Sequence, residues 1–226
     1  TKELLDYADI PFEDIRQNMK ELNTINTYLG GHKITIAGIK KLVAGTGADK
    51  PVVICEMGCG GGDNLNAIEK YCSRNKIQAN YIGIDIKPEC IDFAKQQYPV
   101  LNAEWIVHDY QLVDFAERKP DIIFSSLFCH HFNEAELNRM IHWMKENSEK
   151  GFFINDLHRH PLAYYSIKWI TKKFSGSYLV KNDAPLSVAR GFTKKEWESV
   201  LQNAGIKNYS INWKWAFRYL VIYKNE

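Results

Sequence analysis

From residue 51 onward, short apolar runs alternate with amphipathic stretches, and that alternation restricts the chain to βα units laid into a mainly parallel sheet. The runs are PVVICEM (51–57), ANYIGIDI (79–86), AEWIVHD (103–109), PDIIFSS (120–126) and GFFINDL (151–157). Each is rich in β-branched or aromatic residues and is bounded by turn formers or charge. Between the first runs, Leu65, Ile68 and Cys72 share a helical face, as do Ile91, Ala94 and Tyr98 behind Pro88, a residue suited to a first helical turn. Asn133 with Glu136, and Thr193 with Glu196, have the spacing of capping boxes, and Gly205 stops the second helix. GIKNYSINWKW and AFRYLVIYK then follow each other almost without connection, so they pair as an antiparallel hairpin; a parallel crossover needs roughly a dozen residues.

The expected organisation is one domain over 1–226: a helical cap at 1–50 broken at Gly30-Gly31, a core at 51–155, a substrate-side insertion at 156–192, and a last helix and hairpin at 193–226. Hydrophobic residues at 45% and charged residues at 25% place it among globular proteins. A net charge of +2 gives no field for nucleic acid, so a small molecule is the expected partner and the chain a monomer or homodimer. No stretch approaches the ~20 apolar residues of a membrane span, and the acidic start lacks a signal-peptide core, which predicts a cytoplasmic protein. Cys55, Cys59, Cys72, Cys90 and Cys129 form no C-x-x-C pair and read as reduced, mostly buried thiols.

The densest chemistry lies in ICEMGCGGGDN (54–64), where an apolar strand runs into Gly58, Gly60, Gly61 and Gly62 and then a helix. Such a turn brings backbone close to a ligand and points unpaired helical N–H groups at it. The dinucleotide pattern G-x-G-x-x-G fails, because its last position is Asp63. What fits is E-x-G-x-G-x-G from Glu56, and a carboxylate ahead of the turn suits a cationic ligand better than a pyrophosphate. S-adenosylmethionine carries an ammonium and a sulfonium and no phosphate. Asp85 ends the second run, where a carboxylate can accept from both ribose hydroxyls, and His108-Asp109 ends the third, where one can accept from an adenine amino group.

These residues, with DIIFSSLFCHHF (121–132), resemble the class I S-adenosylmethionine-dependent methyltransferases, in the small-molecule branch. The resemblance implies an α/β, Rossmann-like, seven-stranded, mainly parallel sheet with an antiparallel C-terminal hairpin and helices on both faces. It implies S-adenosylmethionine as cofactor and S-adenosylhomocysteine as product. Glu56, Gly58, Cys59 and Gly60 then lie by the methionine moiety, Asp85 on the ribose and Asp109 near adenine. Ile86, His108, Tyr110 and Ser125, with the adjacent Ser126, complete that pocket. NTINTYLGGHKITI also resembles the first segment of quinone and polyketide methyltransferases, which implies that Tyr28, Leu29 and Gly30 help close the pocket.

On the acceptor side His131, then His130 or His158, are the candidate bases for a substrate hydroxyl. Arg159, Tyr164 and Tyr165 are candidates to hold an anionic or phenolic group, and no metal is expected. Histidines mixed with aromatic rings favour O-methylation of a hydroxylated aromatic or polyketide-like acceptor, with C-methylation of a quinone-type ring as the alternative. A nicotinamide oxidoreductase and a non-catalytic cofactor-binding module are the rivals from other classes. Asp85→Ala should weaken binding of S-adenosylhomocysteine strongly, and an unchanged affinity in calorimetry removes Asp85 from the ribose.

Overall fold

Seven strands form one sheet in the order β3-β2-β1-β4-β5-β7-β6: β1 Val52–Met57, β2 Ala79–Asp85, β3 Ala103–Val107, β4 Ile122–Ser126, β5 Gly151–Leu157, β6 Tyr209–Lys214 and β7 Arg218–Lys224. This is a computed structural model, and it describes residues 3–6, 10–44, 50–115 and 118–225. Parts of the 1–50 cap therefore lie outside the described residues. Only β7 runs against its neighbours, pairing antiparallel with both β5 and β6. The chain ends in the expected hairpin, and the five parallel strands stand within a few residues of their apolar runs.

The helices are α1 Phe12–Tyr28, α2 Gly31–Val43, α3 Asp63–Arg74, α4 Pro88–Gln97, α5 Glu134–Asn147, α6 Pro161–Phe174, α7 Tyr178–Arg190 and α8 Lys194–Asn203. Asn133 and Thr193 cap α5 and α8 with reciprocal bonds to Glu136 and Glu196, so two of the four N–H groups orphaned at each start are satisfied from the sequence itself. The insertion between β5 and α8 is the helix pair α6–α7.

Strand alternation sorts the core into two layers. Val53, Cys55, Ile123 and Ile154 face α5 and α8, where Met140, Ile141, Trp197 and Leu201 close over them. Val52, Ile54, Ile122, Phe124 and Phe153 face α2 and α3, against Ile39, Leu65 and Ile68. All five cysteines are free and buried: Cys55, Cys72 and Cys129 in these layers, Cys90 against α1, and Cys59 in the glycine turn.

The insertion is fastened by segments remote in sequence. Asp183 of α7 accepts the backbone N–H groups of Leu4 and Leu5, at 2.8 and 3.0 Å. Glu21 of α1 accepts those of Gly176 and Ser177 at 2.9 and 3.0 Å.

Gly38 of α2 lies so near the sheet that a Cβ there meets the Phe153 ring at 2.5 Å. Gly38→Ala should therefore cost about 1–3 kcal/mol by overpacking, outweighing the ~1 kcal/mol of helix propensity it gains. Denaturant unfolding reads the difference; a neutral result means that α2 can lift off the sheet.

Candidate active site

The same alternation that builds the α2–α3 layer also carries polar side chains to its edge. Beyond Val52 and Ile54 on β1 comes Glu56, beyond Tyr81 and Gly83 on β2 comes Asp85, beyond Ile122 and Phe124 on β4 comes Ser126, and beyond Phe153 on β5 comes Asn155. Because β7 is antiparallel, it reaches this edge with its first residue, Arg218. The edge borders a cavity of about 870 Å³ at the carboxyl ends of the parallel strands, where the strand order reverses between β1 and β4. That is the usual ligand crevice of an open α/β sheet, and the volume suits a cofactor with a small substrate.

Gly58, Gly60 and Gly62 all hold positive φ, at 63°, 49° and 76°, so the chain turns from β1 into α3 in conformations that side chains resist. Asp85 secures the turn: its Oδ2 accepts the Gly60 N–H at 2.8 Å and its Oδ1 that of Lys87 at 2.9 Å. Burial nevertheless pushes the Asp85 carboxyl up, with the backbone donors working against the shift. Glu56 is the more extreme case. One oxygen accepts from Asn64 Nδ2 at 3.0 Å, whereas Oε2 is buried without a partner. Burial, followed by the charges of Asp63 and Asp85, pushes its carboxyl well above the usual range despite the Asn64 bond. A carboxylate buried in this way is short of a cation.

Arg218 supplies the opposite charge. It is 2% exposed, its Nη2 donates to Asn26 Oδ1 at 2.9 Å, and its Nη1 is buried without a partner. Burial pushes the guanidinium down to about 10, against the pull of Asp156 and Asp63. Asn64 is held by Thr35 at 3.1 Å, and Thr35 by Asn155 at 3.1 Å, so the mount of Glu56 spans α3, α2 and β5. The orphaned carboxylate oxygen and the orphaned guanidinium nitrogen fit the ammonium and carboxylate of an amino-acid moiety.

Across the cavity His130 lies in a turn after β4, 4% exposed, with Nδ1 2.8 Å from Asp156 Oδ1. Burial pushes Asp156 up, but the charge and hydrogen bond of His130, with backbone donors at Leu157 and Cys129, outweigh it and hold the carboxyl below its usual range. Glu3 approaches His130 Nε2 at 3.6 Å and His131 Nε2 at 3.8 Å, accepts from Ser187 at 2.8 Å, and has Arg190 at 4.0 Å. This cluster can move a proton. Its three ligand atoms lie within 4.8 Å of one another, as in a two-histidine, one-carboxylate metal site, but the neighbouring Arg190 charge opposes a cation there.

Glu56, Gly58, Cys59, Gly60, Asp85, Ile86, His108, Asp109, Tyr110, His130 and His131 all line the one cavity, as does Leu29. Asp109 spends one oxygen on the Gln111 N–H, at 3.0 Å. Ser125 is not brought there: it falls on the opposite strand face, against Cys129, and Ser126 takes the place at the cavity. Arg159 turns away to Glu196 at 2.6 Å, and His158 accepts from Trp213 at 3.3 Å. Tyr164 packs on the outer side of the cavity wall, Tyr165 is 67% exposed, and Tyr28 is exposed as well. Sequence reasoning missed Asn64, Arg218 and Glu3. Period-two counting along β1 and β7 could have found Arg218, but no local signal marks Glu3.

Residues 54–151 match the family model described as a methyltransferase domain. No curated protein matches the sequence. Among solved structures, the plantazolicin methyltransferase BpumL in complex with SAH superposes with a TM-score of 0.69 at 16% identity, over 92% of this chain and 90% of that one. The O-methyltransferase family 2 protein from Planctomyces limnophilus, in complex with apigenin, gives 0.68 at 14%, over 98% and 63%. The magnesium protoporphyrin IX methyltransferase ChlM from Synechocystis, with bound SAH, gives 0.57 at 16%, over 87% and 84%.

Because folding raises the Glu56 pKa, the stability this group contributes at low pH is lost as pH rises through the folded value. Glu56→Gln should raise the melting temperature of the ligand-free protein at neutral pH. The gain should vanish below the ordinary glutamate range of about 4.3. A gain that is the same at every pH would show that charge burial is not its cause.

Proposed function

We propose that the chain is an S-adenosylmethionine-dependent methyltransferase, on the strength of the domain match at 54–151 and of the fold, and that it O-methylates a hydroxylated aromatic or polyketide-like small molecule. The observation that carries the oxygen acceptor is the His130–Asp156 pair, a buried base with its orienting carboxylate on the same cavity as Glu56. A phenolic hydroxyl needs its proton removed as it attacks. An imidazole held by a carboxylate does that at neutral pH.

When bound, S-adenosylmethionine supplies a methyl group already activated on a sulfonium sulfur. Glu56 Oε2 would accept from the ammonium of its amino-acid moiety, and Arg218 Nη1 would donate to the carboxylate. Asp85 would take the ribose hydroxyls, with Gly58, Cys59 and Gly60 bringing backbone beneath. Ile86, His108, Asp109 and Tyr110 would flank the adenine.

His130 is the first choice of base and His131 the second, because Asp156 engages Nδ1 of His130 and makes Nε2, 3.6 Å from Glu3, the ring nitrogen that would exchange the acceptor's proton. Alignment of acceptor against donor supplies the rest, worth several kcal/mol of barrier, about 7–11 in the best-oriented cases. Among the structures named above, the one holding apigenin carries a polyphenol, the class of acceptor proposed here.

The test is calorimetry with S-adenosylhomocysteine, followed by turnover against a panel of phenols and quinones. His130→Asn should lower kcat by about 10²–10⁴-fold while leaving S-adenosylhomocysteine affinity unchanged. Absence of S-adenosylhomocysteine binding removes the cofactor assignment. Wild-type turnover of a phenol by His130→Asn removes the base.

A further inference from the structure

Helix α6 closes one side of the cavity with Ala163, Ser166, Ile167 and Ile170 and turns its other side outward. On the outer side Leu162, Tyr165 and Trp169 stand at i, i+3 and i+7, a single stripe of helix, and all three are more than half exposed. Single exposed apolar residues are ordinary, whereas three in register form a surface. Phe174, the last residue of the helix, adds a further exposed ring edge-on to Trp169. Lys168, Lys172 and Lys173 border the stripe, with the Lys173 ammonium 5.1 Å from the Trp169 ring centre and that of Lys168 5.6 Å from Tyr164.

The charge of this face is one-sided. No acidic residue occurs between Asp156 and Asp183, while the stretch holds Lys168, Lys172, Lys173 and Lys181 beside Arg159, which Glu196 neutralises. Carboxylates that touch it from α1, Asp14 and Glu21, bond to Tyr178 and to the 175–177 turn rather than to the lysines. Phe217 from the β6–β7 turn packs with Ala163 and Ile167, and the neighbouring Trp215 lines the cavity while remaining 73% exposed. The hairpin turn thus adds one more exposed ring, Trp215, at the cavity that α6 walls.

We propose that this face docks on the surface of an anionic lipid bilayer, with the rings at headgroup level and the lysines reaching along them to the lipid charges. Electrostatics favours this occupant over a second copy of the chain, since a two-fold contact would set lysine face against lysine face. The helix lies flat on the surface; among the described residues no helix is long and apolar enough to cross a membrane. An apolar acceptor dissolved in the leaflet would then reach the cavity without passing through water, a consequence that rests on the methyl-transfer reading.

Co-sedimentation of the full chain with phosphatidylcholine vesicles, with and without phosphatidylserine, tests the docking without depending on methyl transfer. Binding should require phosphatidylserine and weaken with salt. The triple variant Lys168→Glu, Lys172→Glu, Lys173→Glu should lower partitioning by about a hundredfold, and Trp169→Ser by about tenfold. Circular dichroism melting confirms that these exposed substitutions leave the fold intact. Failure to bind, or binding indifferent to phosphatidylserine and to both variants, overturns the proposal. So does a dimer in analytical ultracentrifugation that Trp169→Ser dissolves while vesicles have no effect.

Discussion

A carboxylate with 1% of its surface exposed and one oxygen unpaired is the constraint around which this molecule is arranged. Leaving an ionised group in such a place is costly, and proteins keep the cost low by protonating it or by giving it a counter-ion. Asn64 holds Glu56 and is itself held through Thr35 and Asn155, a chain of bonds that crosses α3, α2 and β5. On the proposed reading the missing partner is a cation arriving through the cavity. Arg218 is similarly short of an acceptor, so the free protein presents an orphaned carboxyl oxygen and an orphaned guanidinium nitrogen, which one zwitterionic ligand would meet.

Much of this was legible in advance because strand and turn signals are local. The glycine turn, the acidic strand ends and both capping boxes are each written within about ten residues, and each appears where its spacing put it. The serine pair was read without telling its members apart for an equally simple reason: Ser125 and Ser126 are adjacent, and only the parity of Ile122 and Phe124 tells which faces the ligand side. Asp156 is fully buried against His130, because alternation continues to the last residues of β5.

What stayed out of reach is long-range. Arg218 gains its place from a strand that enters the edge backwards, so period-two counting points to it only once the antiparallel pairing of β7 with β5 is known. Arg159 and Tyr165 fell within a stretch whose composition pointed to a ligand, but composition does not say which side of a helix faces inward. Once α6 forms, Ala163 and Ile167 claim the inner side and the large rings are left outside.

The bonds from Asp183 to Leu4 and Leu5 join positions separated by 179 and 178 residues. Closing a loop of that length costs chain entropy before any contact repays it. The wall that carries Glu3 onto the histidines cannot form before α7 exists, so the enclosure of the chamber depends on contacts between segments far apart in the chain.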